Sequence, residues 1–143
     1  MKKILSVGLL FVLFSVVISA SSAQAIRIDK QQWFKVSVSG PISAKAGSIL
    51  SLTVTAQNKD YVVHTLNSLQ IIVIDPFNGT RVLGPVVTTP MLDILPDKSG
   101  SSKVSLTIPN TEATINKTLA VIITAIDDKS TVRGATGWGF VVN

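Results

Sequence analysis

The sequence predicts an all-β fold: a single antiparallel β-sandwich of seven to eight strands over residues 26–143, behind an N-terminal signal peptide of residues 1–25. Three observations carry this expectation. In 47–58 the apolar Leu50, Leu52, Val54 and Ala56 alternate with Ser51, Thr53, Thr55 and Gln57, which is the period of a half-buried strand. Comparable stretches recur along the chain, each bounded by Gly, Pro, Asn or Asp turn residues. No stretch after residue 25 has the period, length and caps of a long helix.

Residues 1–25 open with Lys2 and Lys3, continue as an apolar run over 4–18 and end in small residues at Ala23-Gln24-Ala25. That three-zone layout is a secretory signal peptide cleaved after Ala25. The run is shorter than the roughly 20 apolar residues a spanning helix needs, which argues against a membrane anchor. No cysteine follows it, so a lipid-modified lipoprotein is excluded, and no second apolar run of spanning length stands at the C-terminus. The expectation is a secreted protein, extracellular or at the cell surface with the periplasm as alternative, and no membrane insertion after cleavage. Loss of Lys2 and Lys3 lowers the formal charge of +5 by two, and the remaining charges are scattered, which predicts no nucleic-acid partner. A secreted chain without cysteine must take its stability from its core, from assembly or from both, a usage that leans towards a bacterial or archaeal exported protein.

The first stretch, 26–39, places Ile26, Ile28, Phe34, Val36 and Val38 on one parity, but Lys30 and Gln32 interrupt the apolar face. Two pieces follow from this, a short leading segment and a firmer strand over 33–38, ended by Gly40-Pro41. Strand 47–58 comes next. After the polar turn Asn58-Lys59-Asp60, residues 61–66 read as a short edge strand or a loop. Residues 69–74 are almost wholly apolar and suit a central strand. The turn Asp75-Pro76-Phe77-Asn78-Gly79 joins them to 81–88 as a hairpin, in which Pro85 marks an edge position. Residues 90–100 form a crossing connection between sheets. In 102–108, Val104, Leu106 and Ile108 point inward; in 118–126, Leu119, Val121, Ile123 and Ala125 do, with Ala120, Ile122 and Ile126 making the other face apolar enough for a central strand. Asp127-Asp128-Lys129-Ser130 is a solvated turn, and 132–142 is the closing strand.

The phrase 47–58, the apolar strand and turn at 69–75 and the proline-bounded return at 94–109 together resemble prokaryotic Ig-like modules of the CARDB and related kinds. The resemblance covers most of the chain after residue 25. It implies a sandwich of immunoglobulin-like type serving extracellular adhesion or assembly, with no family active site to carry over. The two cysteines around a tryptophan of true immunoglobulin domains are absent.

Catalytic chemistry has little to stand on. His64 is the one histidine and there is no cysteine, so no nucleophile and base can be paired, and His64 reads as an exposed or loop-packed side chain. With His64, only Met91 follows the signal segment as a soft ligand, too few for a transition metal. Asp127 with Asp128, and Asp93 with Asp97, are short of the several carboxylates that calcium takes from one loop. The expectation is a non-enzyme with no catalytic residue, metal or cofactor. Asn78 and Asn116 head the triplets Asn78-Gly79-Thr80 and Asn116-Lys117-Thr118, acceptors for N-glycosylation in turns or at strand edges.

Two ends of the domain are candidates for subunit contact. Trp138 and Phe140 share a parity on a last strand thinned by Gly134, Gly137 and Gly139, where glycine permits a bulge or the close approach of another backbone. They line a groove that accepts a neighbour's strand, or they fill their own core. Ile26 and Ile28 are knobs on an amphipathic first strand that completes a neighbour's sheet, or that belongs to its own domain. The function so read is an exported structural or adhesive subunit, associating with itself or with other cell-surface proteins. The alternative is a monomeric extracellular binding module for carbohydrate or another surface protein.

Overall fold

The computed structural model describes residues 27–28 and 32–143, with side chains from Gln32 onward. The signal peptide expected over 1–25 and the candidate contact Ile26 lie outside the described residues. Ten strands follow in order: β1 Arg27–Ile28, β2 Phe34–Ser39, β3 Ser43–Ala44, β4 Ile49–Asn58, β5 His64–Ile74, β6 Arg81–Thr88, β7 Leu92–Ile94, β8 Ser99–Thr107, β9 Thr118–Asp127 and β10 Thr131–Val142. They form a two-sheet sandwich. The larger sheet has the order β1-β10-β9-β5-β6, with β3 also on β10 and β7 also on β5; the smaller is β2-β4-β8. Seven of the ten strands have six residues or more, which matches the seven to eight expected, and three are pieces of two or three residues.

Alternation decides the core. Leu50, Leu52, Val54 and Ala56 of β4 all lie inward and buried, facing Leu69, Ile71 and Val73 of β5 and Leu119, Val121 and Ile123 of β9. Each such side chain contributes roughly 1.5–3 kcal/mol of transfer free energy relative to exposure. β9 and the second half of β5 are buried on both faces, as their near-continuous apolar sequences require, and Ile72, Ile74, Ala120 and Ile122 make a second, smaller cluster. The Asn78-Gly79 turn joins β5 to β6, with Gly79 at φ 73°, and β6 with its Pro85 is an edge strand. Residues 61–66, open between strand and loop, divide: 61–63 are loop and His64 begins β5.

The pairing is not antiparallel throughout. β1 and β3 both run parallel to β10, at its first residues and its last. The reason is that the opening segment changes sheets: it touches β10 at 27–28, crosses to β4 as β2, and returns to β10 at 43–44 after Gly40-Pro41. All three pieces travel in the direction of β10. The registers gather Trp33 and the turns 58–64, 95–98 and 128–130 at one end of the sandwich, called here the Asn58 end. Residues 40–48, 75–80 and 108–117 lie at the other, the Asn78 end.

Candidate functional site

At the Asn58 end the fold assembles a cluster whose members are far apart in sequence. Asn58, fully buried at the end of β4, donates from Nδ2 to the carbonyls of Val62 at 2.7 Å and Ile94 at 2.8 Å, and its Oδ1 accepts from the Asp60 amide at 2.9 Å. One side chain therefore ties the loop after β4 to the end of β7. The tie leaves Tyr61 94% exposed, with Val62, Val63 and Leu95 also exposed beside it. The Lys59 amide donates to the Trp33 carbonyl at 2.7 Å and so fixes the residue that leads into β2.

Trp33 is the centre of a stack. The His64 ring lies 3.6 Å from it, centroid to centroid, at 13°. The Arg133 guanidinium carbon lies 3.4 Å from the same ring centroid. Two planar groups so close to one centroid must occupy opposite faces, so Trp33 is held between an imidazole and a guanidinium. Each contact of this kind contributes about 0.5–2 kcal/mol. Carboxylates close the stack: His64 Nε2 donates to Asp60 Oδ2 at 2.7 Å, and Arg133 Nε donates to Asp127 Oδ2 at 2.8 Å. The Asp60 carboxyl is held below its ordinary range, first by the hydrogen bond from His64 and then by that from the Tyr61 amide, against a small opposing effect of burial.

His64 is accordingly packed rather than exposed, and Asp127 is not part of a solvated turn. Asp127 is fully buried, and its other oxygen accepts the amides of Lys129 at 2.9 Å and Thr131 at 2.8 Å, so the hairpin is wound around it. Its neighbour Asp128 is exposed. Arg133 reaches Asp127 because a register shift between Val132 and Gly134 re-aims it. Asp93 accepts from the Thr65 hydroxyl at 2.6 Å, while Asp97 lies 3.9 Å from Lys59 at the surface. Among the described residues no group of three or more His, Cys, Asp and Glu could hold a metal ion.

The residues singled out for subunit contact separate. Phe140 is 1% exposed within the main core, so it offers a neighbour no surface. Trp138 is half-buried against that core, its indole donating to the Pro41 carbonyl at 3.0 Å. Ile28 belongs to β1, which pairs with β10 of its own chain; its side chain lies outside the described residues. Asn78 and Asn116 are both exposed in turns at the Asn78 end, Asn78 accepting the Thr80 amide at 2.8 Å and Asn116 at φ 55°.

The outer face of the smaller sheet is a second feature that alternation alone did not single out. Ser37, Thr55 and Ser101 stand in one row, Ser39, Thr53 and Lys103 in the next, and Ser51 with Ser105 in a third. Thr55 and Ser101 hydrogen bond at 2.8 Å. No carboxylate lies on β2, β4 or β8, whereas Lys35 and Lys103 do. The face is hydroxyl-rich and cationic.

No protein-family model matches the chain, and no curated protein matches it in sequence. Its fold is similar to solved structures. The CARDB domain of a Pyrococcus furiosus protein superposes at a TM-score of 0.55 with 14% identity, over 80% of this chain and 97% of that one. A Paenibacillus cycloisomaltooligosaccharide glucanotransferase gives 0.53 and 15%, over 84% of this chain and 14% of that one. The Bacillus subtilis sporulation control protein Spo0M gives 0.54 and 11%, over 77% and 49%. The chain thus spans a small part of the glucanotransferase and about half of Spo0M, and the likeness is one of fold: a CARDB-like β-sandwich.

Proposed function

For this CARDB-like sandwich we propose the role of an exported, non-enzymatic structural or adhesive subunit of the cell surface, a component of a filament, pilus-like thread or surface layer. One observation carries the reading: among the described residues the first strand is tied to its own domain by a parallel ladder of two residues, Arg27 with Thr131 and Ile28 with Val132. A strand held by so short a ladder is readily given to a neighbour, where main-chain hydrogen bonds supply affinity and alternate side chains supply register. The leader at 1–25 supports export, and the exposure of Asn78 and Asn116 suits glycosylation outside the cell.

The test is to express the full chain, determine the N-terminus of the secreted product, and examine it by sedimentation velocity and electron microscopy. Cleavage after Ala25 and concentration-dependent oligomers or fibres are expected. A sharp monomer at high concentration with no fibres overturns the reading. Deleting 26–30 is expected to abolish assembly with the fold intact, whereas a purely domestic edge strand would show lower thermal stability alone.

A binding module is the second reading, and the carboxylate-free hydroxyl face of β2, β4 and β8 favours it. Calorimetric titration against neutral and acidic glycans tests it, with Lys35→Glu and Lys103→Glu expected to abolish any binding of the acidic ones.

A further inference from the structure

The two sheets are unequal: four long strands, β10-β9-β5-β6, lie over three, β2-β4-β8. One seam between them is closed. There β2 runs so near β10 that a Cβ on Gly134 would lie 2.4 Å from the Phe34 carbonyl oxygen, and Trp138 is bonded to Pro41. At the other seam β6 overhangs. β8 is nine residues long and β4 is its sole ladder partner among the described residues, so one edge presents unpaired N–H and C=O groups.

The side chains facing that edge are incompletely covered. Val82, Leu83 and Val86 lean against the core, yet no residue of β6 is fully buried, whereas 71–74 of the adjoining β5 all are. On β8 the inward Gly100 and Ser102, beside β7, are half-buried, whereas Val104 and Leu106 beyond it are buried, so the incomplete cover of the open seam lies on its β6 side. β7 closes the seam at the Asn58 end, its Leu92 and Ile94 lying 3.1 and 3.2 Å from where a Cβ on Gly100 would stand. Beyond that point no described strand lies between β8 and β6. Thr88, at the end of β6, buries its hydroxyl without a hydrogen-bond partner among the described residues.

We infer that the β8 edge and the β6 side chains beside it form an acceptor groove for the N-terminal strand of a second copy, the strand that opens Ile26-Arg27-Ile28. This rests on the strand-exchange reading above and moves the acceptor from the Trp138 strand to the opposite seam. The occupant fits by pattern and length. Ile26 and Ile28 share one parity and meet Val82, Leu83 and Val86, while Arg27 and Asp29 share the other and join the polar outer face of β8. A fully extended chain from Ile26 to Trp33 would reach about 23 Å at about 3.3 Å per residue, comparable with the length of β8. Trp33, clamped between His64 and Arg133, fixes the point on its own subunit from which the donor departs.

Sedimentation velocity on secreted protein tests this with an acceptor variant, Val86→Lys, and a donor variant, Ile28→Asp, both checked for folding by circular dichroism; Val82→Lys replaces Val86→Lys should the latter not fold. Each variant alone is expected to be monomeric where the parent polymerises. Mixed in equal amounts, they are expected to give dimers and nothing longer, because one intact donor meets one intact acceptor. A mixture that stays monomeric, or acceptor variants that polymerise like the parent, overturns the groove while leaving strand exchange standing. A parent that is monomeric at every concentration overturns both.

Discussion

Asp127 and Asp60 show how single carboxylates organise the Asn58 end. Asp127 winds its hairpin with one oxygen and neutralises Arg133 with the other, all at nearly complete burial. Breaking a buried ion pair by removing one charge costs about 3–5 kcal/mol, since the remaining charge keeps its desolvation penalty. Asp127→Asn is expected to lower the unfolding free energy by about that much in urea titrations, a large share of the roughly 5–15 kcal/mol of an ordinary domain. Asp60 is half-exposed and its effect is smaller, but the sign is definite. A carboxyl held below its unfolded value contributes stability that is complete above about pH 4 and is lost as the pH falls through the lower folded value. Thermal melts below pH 4 are expected to show this loss, and Asp60→Asn to flatten that part of the profile. Neither role was legible beforehand. Asp127-Asp128-Lys129-Ser130 has the composition of a solvated turn, and the partner that buries Asp127 sits at a bulge that period-2 counting cannot register.

At the scale of elements, two glycines of β10 ask for different explanations. A Cβ on Gly134 would strike the Phe34 carbonyl and Val36, so its absence is what lets β2 close against β10. Nothing lies within 4 Å of a Cβ on Gly139. Gly134→Ala is expected to destabilise the domain by about 1–3 kcal/mol through overpacking. Gly139→Ala, by contrast, is expected to be neutral or to stabilise by about 0.4–1 kcal/mol, because it only restricts the unfolded chain. Chemical denaturation of the two variants side by side checks the contrast. The close backbone approach expected of these glycines holds at Gly134, where the approaching backbone is the chain's own β2. The seven long strands, the Asn78-Gly79 hairpin, the edge placement of β6 and the central placement of β5 and β9 were readable, because burial on one face or two writes a local pattern of alternating or continuous apolar residues; β3 and β7, too short to carry such a pattern, were not, and β7 lies on β5 within the 90–100 stretch expected to be only a connection.

For the whole molecule, sequence alone determined the class of fold, the inward parity of the long strands and the location of the main turns. Those properties depend on neighbours within a few residues, where side-chain period and turn chemistry act. Tertiary structure decided the rest. It put Trp33, His64, Arg133 and Asp127 into one stack, sent the opening segment from one sheet to the other and back, buried Phe140, and left the β8 edge beside a half-covered β6. Each of these joins residues from distant strands, or turns on how many strands one sheet has against another. Such contacts follow from the packing of two twisted layers, which no local periodicity encodes.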